Sequence, residues 1–259
     1  MDKTKGNAMD SDNMKKTKSA AIVLAAGRGR RMKTGKAKQF LEICQKPVLY
    51  YPLKAFEESA VDDVVLVTGK DDIEFCKDEI VGKYGFSKVR SIVSGGKERY
   101  NSVYAGLCEL AGGTVDLTTP DIVLIHDGAR ALITAELINE LTEETARYKA
   151  CVTGTPLKDT VKVVDDELMT VDTPNRSRLW SVQTPQAFDF KLIYEAYKKL
   201  AEKETELEKD GIKITDDAMV LELMSGIKTK LVMGSYLNMK LTTPEDILIF
   251  ESILSRAEG

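Results

Sequence analysis

The chain has 259 residues, 43% hydrophobic and 30% charged, enough apolar material for one large α/β domain or two small ones. Its formal net charge of -4 argues against a general affinity for nucleic acid or for an anionic membrane. No apolar run reaches the ~18 residues of a membrane span, no signal-peptide core opens the chain, and Cys44, Cys76, Cys108 and Cys151 are too scattered for a zinc site or a disulfide framework; a cytoplasmic protein with buried thiols is expected.

Residues 1–18 are polar and without period, the composition of a disordered tail, and residues 19–259 read as a single domain. The run Ala20-Ala21-Ile22-Val23-Leu24-Ala25-Ala26 has the unbroken apolar pattern of a strand buried on both faces of a parallel sheet. It gives way to Gly27 and Gly29, where backbone can approach a ligand closely, and to the cations Arg28, Arg30, Arg31, Lys33, Lys36 and Lys38. Residues 46–58 read as a helix distorted near Pro52. Strands at 64–68 and 89–93 alternate with helices at 71–83 and 98–110. A fourth strand, 121–125, ends in His126-Asp127-Gly128-Ala129-Arg130; Thr134 then caps a helix with Leu137, Ile138 and Leu141 facing inward, and 151–155 begins a fifth strand. This alternation predicts an α/β fold with a doubly wound, mostly parallel, Rossmann-like sheet and a site at the carboxyl ends of its strands.

The pattern breaks after Pro156. Residues 159–164 and 168–171 read as two short strands around the acidic turn Asp165-Asp166-Glu167, an inserted β-hairpin arm at about 157–177. An isolated hairpin is marginal in water, so the arm is expected to pack on a second copy in a homodimer. Residues 179–188 receive no element, and a helix starts near 190. The charge-dense run 198–209 is a solvated helix face and loop. Thr215-Asp216-Asp217 caps a helix to 224, a late strand covers 227–233, and Thr243-Pro244-Glu245-Asp246 opens the last helix with a threonine cap and a proline in the first turn.

Residue types at these turns point to phosphate chemistry without fixing it. The glycine loop fails the GxGxxG pattern at Met32, and a P-loop fails because five residues separate Gly29 from Gly35 and Ala37 follows Lys36. Alone, it reads equally as an anion cradle or as a basic turn after a core strand. A carboxylate ~4 Å from a phosphate charge costs about 4 kcal/mol at an effective dielectric near 20. Asp127 beside a nucleoside triphosphate therefore reads as a magnesium ligand, and otherwise as the cap of the following turn. His126, the sole histidine, reads as a packed, hydrogen-bonded residue rather than a base. The backbone at Gly95 and Gly96, helped by Ser102, can read a base edge or simply start a helix. Arg176 and Lys240 are isolated cations in polar turns, where solvent is the default.

Taken in order, these segments resemble the 2-C-methyl-D-erythritol 4-phosphate cytidylyltransferase family. The match runs through Leu24-Ala25-Ala26-Gly27-Arg28-Gly29-Arg30-Arg31-Met32 with Lys38-Gln39-Phe40-Leu41, Gly95-Gly96 with Arg99 and Ser102, and His126-Asp127-Gly128-Ala129-Arg130. It continues through Asp159-Thr160-Val161-Lys162, residues 176–186, Thr215-Asp216-Asp217-Ala218 and residues 238–246. The resemblance implies that the phosphate of a small polyol phosphate attacks the α-phosphorus of CTP and releases pyrophosphate, in non-mevalonate isoprenoid precursor synthesis. Position by position, it implies Arg31 and Lys38 as stabilisers of the transition state. Ala25, Ala26, Gly27, Gly29, Gly96 and Ser102 surround the nucleotide. Thr160, Arg176 and Lys240 bind the methylerythritol phosphate, in part across the dimer, and Asp127 holds Mg2+. Leu237 stands where many relatives carry an aspartate, leaving Asp127 to hold the metal with water and phosphates. Ribitol-5-phosphate cytidylyltransferase is the rival of the same chemistry, disfavoured by Leu24-Ala25-Ala26-Gly27, since that family tends towards Ala-Gly-Gly. A non-catalytic CTP sensor is the rival of another class, disfavoured by the acceptor cations.

Overall fold

The computed structural model describes residues 17–27, 37–112 and 118–257. Strand β1 (Ser19–Ala25) is followed by β2 (Glu42–Ile43), β3 (Lys46–Pro47), helix α1 (Tyr50–Glu58), β4 (Asp63–Thr68), the short helix α2 (Ile73–Phe75), β5 (Val89–Ser94), α3 (Arg99–Leu110), β6 (Ile122–Asp127) and α4 (Ala135–Tyr148). Beyond them come β7 (Ala150–Pro156), the arm strands β8 (Val163–Val164) and β9 (Thr170–Asp172), and then β10 (Trp180–Asp189). Helices α5 (Phe190–Lys209) and α6 (Asp217–Ser225), strand β11 (Lys230–Met233) and helix α7 (Glu245–Ala257) complete the order.

Seven strands form the main sheet in the order β11-β7-β10-β6-β1-β4-β5. Neighbours run parallel except at β10, which lies antiparallel between β6 and β7. The expected mostly parallel α/β sheet is therefore present. Because β1 lies between β4 and β6, its side chains meet apolar layers on both faces. Ala21, Val23 and Ala25 join Leu53, Phe56, Ile138 and Leu141, whereas Ala20 and Ile22 join Val103, Leu107, Ile193 and Tyr197. Burying a side chain such as Ile22 contributes about 1.5–3 kcal/mol, and the alternation along β1 fixes which helices lie on which face. A third apolar cluster, with Ile43, Val48, Ala129, Leu241, Phe250 and Leu254, seats α7 beside the end of β6.

Several expectations need correction. Residues 46–49 do not enter a helix: Lys46–Pro47 pairs antiparallel with Glu42–Ile43, around Cys44 and Gln45 at φ 49° and 62°. Helix α1 starts at Tyr50, so Pro52 falls in its first turn, where no intrahelical N–H is required, and does not distort it. The segment 71–83 is not one α-helix; after Lys70–Asp72 and α2 it winds as a wider π-turn over Cys76–Gly82. Residues 180–189, left without an element, form the longest strand of the sheet. The last correction is to the thiols, of which Cys76 and Cys151 are buried but Cys108 is exposed; Lys18 meets the domain, its amide donating to Asp121 at 2.9 Å. Residues 1–16 lie outside the described residues.

The hairpin arm is present, with strands shorter than the expected 159–164 and 168–171. Strands β8 and β9 pair antiparallel and expose Val163, Val164, Leu168, Met169 and Val171. The charge-dense run is helical as far as Lys209, and Asp216 caps α6 by accepting from the Met219 amide at 3.0 Å.

Candidate active site

At the carboxyl ends of β1, β5 and β6 the chain encloses a cavity of about 340 Å³. Ala26, Gly27, Lys38, Gly96, Ser102, Asp127 and Lys240 line it, together with Arg99. Seven of the residues proposed from sequence thus meet, drawn from segments as far apart as Ala26 and Lys240. The wall after β5 can come this close because it lacks side chains. A Cβ on Gly95 would lie 2.6 Å from the Ala26 Cβ and 2.7 Å from the Ser102 Oγ, and one on Gly96 would lie 2.4 Å from the Asn101 Cβ. The Gly96 amide donates to Ser102 Oγ at 3.1 Å, and that hydroxyl donates to the Glu98 carbonyl at 3.2 Å.

The opposite wall is set by the third apolar cluster. Leu241 is buried there, its amide donating to the Ala129 carbonyl at 2.8 Å. This fixes its neighbour Lys240 at the cavity. Lys38 reaches the same place, with Nζ donating to the Leu241 carbonyl at 2.8 Å. Gln39 turns inward and donates through Nε2 to the Ala25 carbonyl, which anchors the segment carrying Lys38 to β1.

Asp127 stands between two cations. Its Oδ2 accepts from Lys240 Nζ at 2.6 Å and its Oδ1 from Arg99 Nε at 3.2 Å. Burial would push the carboxyl up, but the Arg99 guanidinium and the Lys240 ammonium outweigh it and hold Asp127 well below the usual carboxylate range. Asp127 is therefore ionised at any working pH.

His126 is buried and hydrogen-bonded, as expected, with Nδ1 3.1 Å from Thr184 Oγ1 and Nε2 3.3 Å from the Arg130 carbonyl. Burial pushes its pKa down to about 4 from the ordinary 6.5. The unfolded chain then binds the extra proton first, so this group's contribution to stability is present above pH 6.5 and is lost as pH falls towards 4. Lowering pH from 7.5 to 5 should cost about 2 kcal/mol through this residue. In denaturant unfolding at the two pH values, His126→Gln should shrink the wild-type difference by that amount; an equal difference in both proteins would remove His126 as its source.

The other sequence candidates fall elsewhere. Ala25 does not line the cavity: its methyl is in the core, and its carbonyl is what holds Gln39. Thr160 and Arg176 lie exposed on the arm, away from the cavity lining, and Arg176 donates to the Lys158 carbonyl. Arg31 and Gly29, with the other basic residues 28–36, lie outside the described residues. Sequence reasoning missed two partners. Arg99, read only as part of a motif, binds Asp127 and Asp217. Arg130 donates through Nη1 to the Asn238 carbonyl at 2.8 Å, while Arg130 Nε and Asn238 Oδ1 are buried without a partner among the described residues. Motif position was the sole signal for either: Arg99 stands 28 positions from Asp127 and 118 from Asp217, and Arg130 stands 108 from Asn238.

Among the described residues no group of three or more His, Cys, Asp or Glu side chains could hold a metal ion. Two acidic side chains, Asp127 and Glu98, line the cavity. That donor set fits a hard cation that keeps most of its water and phosphate oxygens rather than a cation caged by protein.

A doubly wound sheet with a glycine-walled, cation-lined cavity at its strand ends is the frame of a nucleotide-binding transferase. The family model for IspD, 2-C-methyl-D-erythritol 4-phosphate cytidylyltransferase, matches residues 19–256. The chain belongs to this family. It is 46% identical over 237 residues to the enzyme of that name from Lachnoclostridium phytofermentans, covering 92% of this chain and 96% of the relative. It is 44% identical over 238 residues to the same enzyme from a Clostridium botulinum strain, covering 92% and 99%. The crystal structure of 4-diphosphocytidyl-2C-methyl-D-erythritol synthase from Anaerococcus prevotii superposes with a TM-score of 0.77 at 36% identity, covering 92% of this chain and 96% of that one. The activity is accordingly that of a cytidylyltransferase using CTP and 2-C-methyl-D-erythritol 4-phosphate.

Proposed function

We propose that the cavity between Gly96 and Lys240 is where an acceptor phosphate oxygen attacks the α-phosphorus of CTP. A new P–O bond forms, the bond between the α-phosphorus and its bridging oxygen to the β-phosphate breaks, and pyrophosphate leaves with the electron pair. The phosphate nucleophile is already anionic, so no general base is required. What the reaction needs is alignment and compensation of charge, which lysines and backbone amides supply. The convergence of Lys38 and Lys240 on one glycine-walled cavity carries this reading.

In it, Gly27 and Gly96 present backbone to the nucleotide and Ser102 holds the Gly96 turn. Lys38, with Arg31 and Gly29 of the same loop, meets the triphosphate, and Lys240 meets the acceptor phosphate. Asp127 would hold Mg2+, which when bound would neutralise part of the triphosphate charge. CTP with magnesium should give pyrophosphate with 2-C-methyl-D-erythritol 4-phosphate and at least tenfold less with ribitol 5-phosphate; equal rates would mean that the acceptor is not discriminated here. Binding of CTP without turnover on either acceptor would instead favour a nucleotide sensor.

The arm belongs to the same reading. Thr160 and Arg176 lie outside the cavity lining of their own chain, and the arm exposes five apolar side chains. A homodimer in which each arm brings these two residues to the other copy's cavity accounts for both facts. Deleting 163–171 should convert a dimer into a monomer in sedimentation and reduce turnover by at least tenfold, and an unchanged mass would rule the arm out as the dimer contact. Residues 19–259 act here as one nucleotidyltransferase domain working in the cytoplasm, with neither nucleic acid nor membrane as partner.

A further inference from the structure

Behind the cavity a second layer of polar groups is buried in the sheet–helix interface. Asp217, fully buried at the start of α6, accepts from both terminal nitrogens of Arg99, Nη1 and Nη2, each at 2.8 Å. The Tyr197 hydroxyl donates to the same carboxylate at 2.5 Å. Gln186 Oε1 accepts from the amides of Asp217 and Ala218 at 3.1 and 3.0 Å, and its Nε2 donates to Asp216 at 2.9 Å. The N-terminus of α6 is thus capped by Asp216 and Gln186, so the helix does not need the Asp217 carboxylate. That carboxylate is committed to Arg99, whose remaining Nε reaches Asp127 in the cavity.

We propose that Asp217 is a positioning residue for nucleotidyl transfer: by holding both terminal nitrogens of Arg99, it leaves only Nε for Asp127 and keeps Asp127 Oδ2 turned to Lys240 and the cavity. A guanidinium is a planar fork that pairs with a carboxylate through two parallel bonds whenever it can. Released from Asp217, Arg99 takes Asp127 in that two-bonded fashion, and both carboxylate oxygens turn away from the reacting groups. Supports of this kind around a functional carboxylate are worth 10- to 100-fold in function. The inference rests on the reading of Asp127 as the cavity carboxylate.

The test is a double-mutant cycle on the full chain, with CTP, magnesium and 2-C-methyl-D-erythritol 4-phosphate as substrates. Asp217→Asn keeps the side chain's size and an acceptor for Tyr197 but lacks the charge. It should lower kcat about 10- to 100-fold with the KM for CTP changed less than about threefold. In an Arg99→Gln background, where no guanidinium needs restraint, the same substitution should cost less than about threefold. A merely structural role would lower the melting temperature and cost the same factor in both backgrounds, which overturns the proposal, as does wild-type kcat in Asp217→Asn. If Asp217→Asn does not fold, Arg99→Lys replaces it. A single ammonium cannot serve Asp217 and Asp127 together, so the same kcat loss is expected, and wild-type kcat there is equally fatal. Asp127→Asn is measured alongside. Full activity in that variant removes the cavity carboxylate and the proposal together, whereas impairment there with none in Asp217→Asn removes the proposal alone.

Discussion

Replacing Lys38 by alanine should lower kcat about 10²–10³-fold, the scale of one lost electrostatic donor at a transition state. The Lys38 ammonium donates to the Leu241 carbonyl, and that segment stays anchored by Gln39 to β1 and by Leu241 to Ala129. A hydrogen bond from a charged donor contributes about 1.5–3 kcal/mol to stability, so the melting temperature should shift by several degrees while turnover collapses. Steady-state kinetics with pyrophosphate detection, paired with thermal unfolding, separates the two effects. Wild-type turnover in Lys38→Ala would exclude Lys38 from the chemistry.

Asp127→Asn should be comparably damaging, with kcat/KM down about 10²–10³-fold at saturating magnesium. The carboxylate is the shared counter-ion of Arg99 and Lys240. Asparagine is nearly isosteric, but its amide end offers a donor where one of those donors sits, so one cation is left facing another donor. Lys240 then has no fixed position at the acceptor side of the cavity. Because the asparagine amide does not titrate, raising pH cannot restore the loss. The measurement is a magnesium titration of initial rates; a variant within threefold of wild type would show that Asp127 does not serve the reaction.

How much of this was visible in the residues depended on the range of the interaction. Strand β1 was legible because a strand buried on both faces must be apolar at every position. The arm was legible because alternation failed locally around an acidic turn. Strand β10 was not, because its inward positions Gln183, Thr184 and Gln186 are polar. They are buried to bond Ser235, His126 and the start of α6, not to fill an apolar layer. The β2–β3 ribbon was hidden for a similar reason: Cys44 and Gln45 hold positive φ without the glycine or asparagine that normally marks such a turn. Within the site, periodicity could place Asp127 at a strand end but not pair it with Lys240, 113 residues later. Family resemblance named Lys240, and the packing of Leu241 explains how it arrives.

That packing carries a consequence for synthesis of the chain. The contact between Lys38 and the carbonyl of Leu241 joins positions 203 residues apart, and α7 must dock before the wall bearing Leu241 is fixed. A ribosome-bound chain can therefore assemble β1 early, yet stay inert until its final helix emerges. Fragments cut short before α7 should accumulate without squandering CTP.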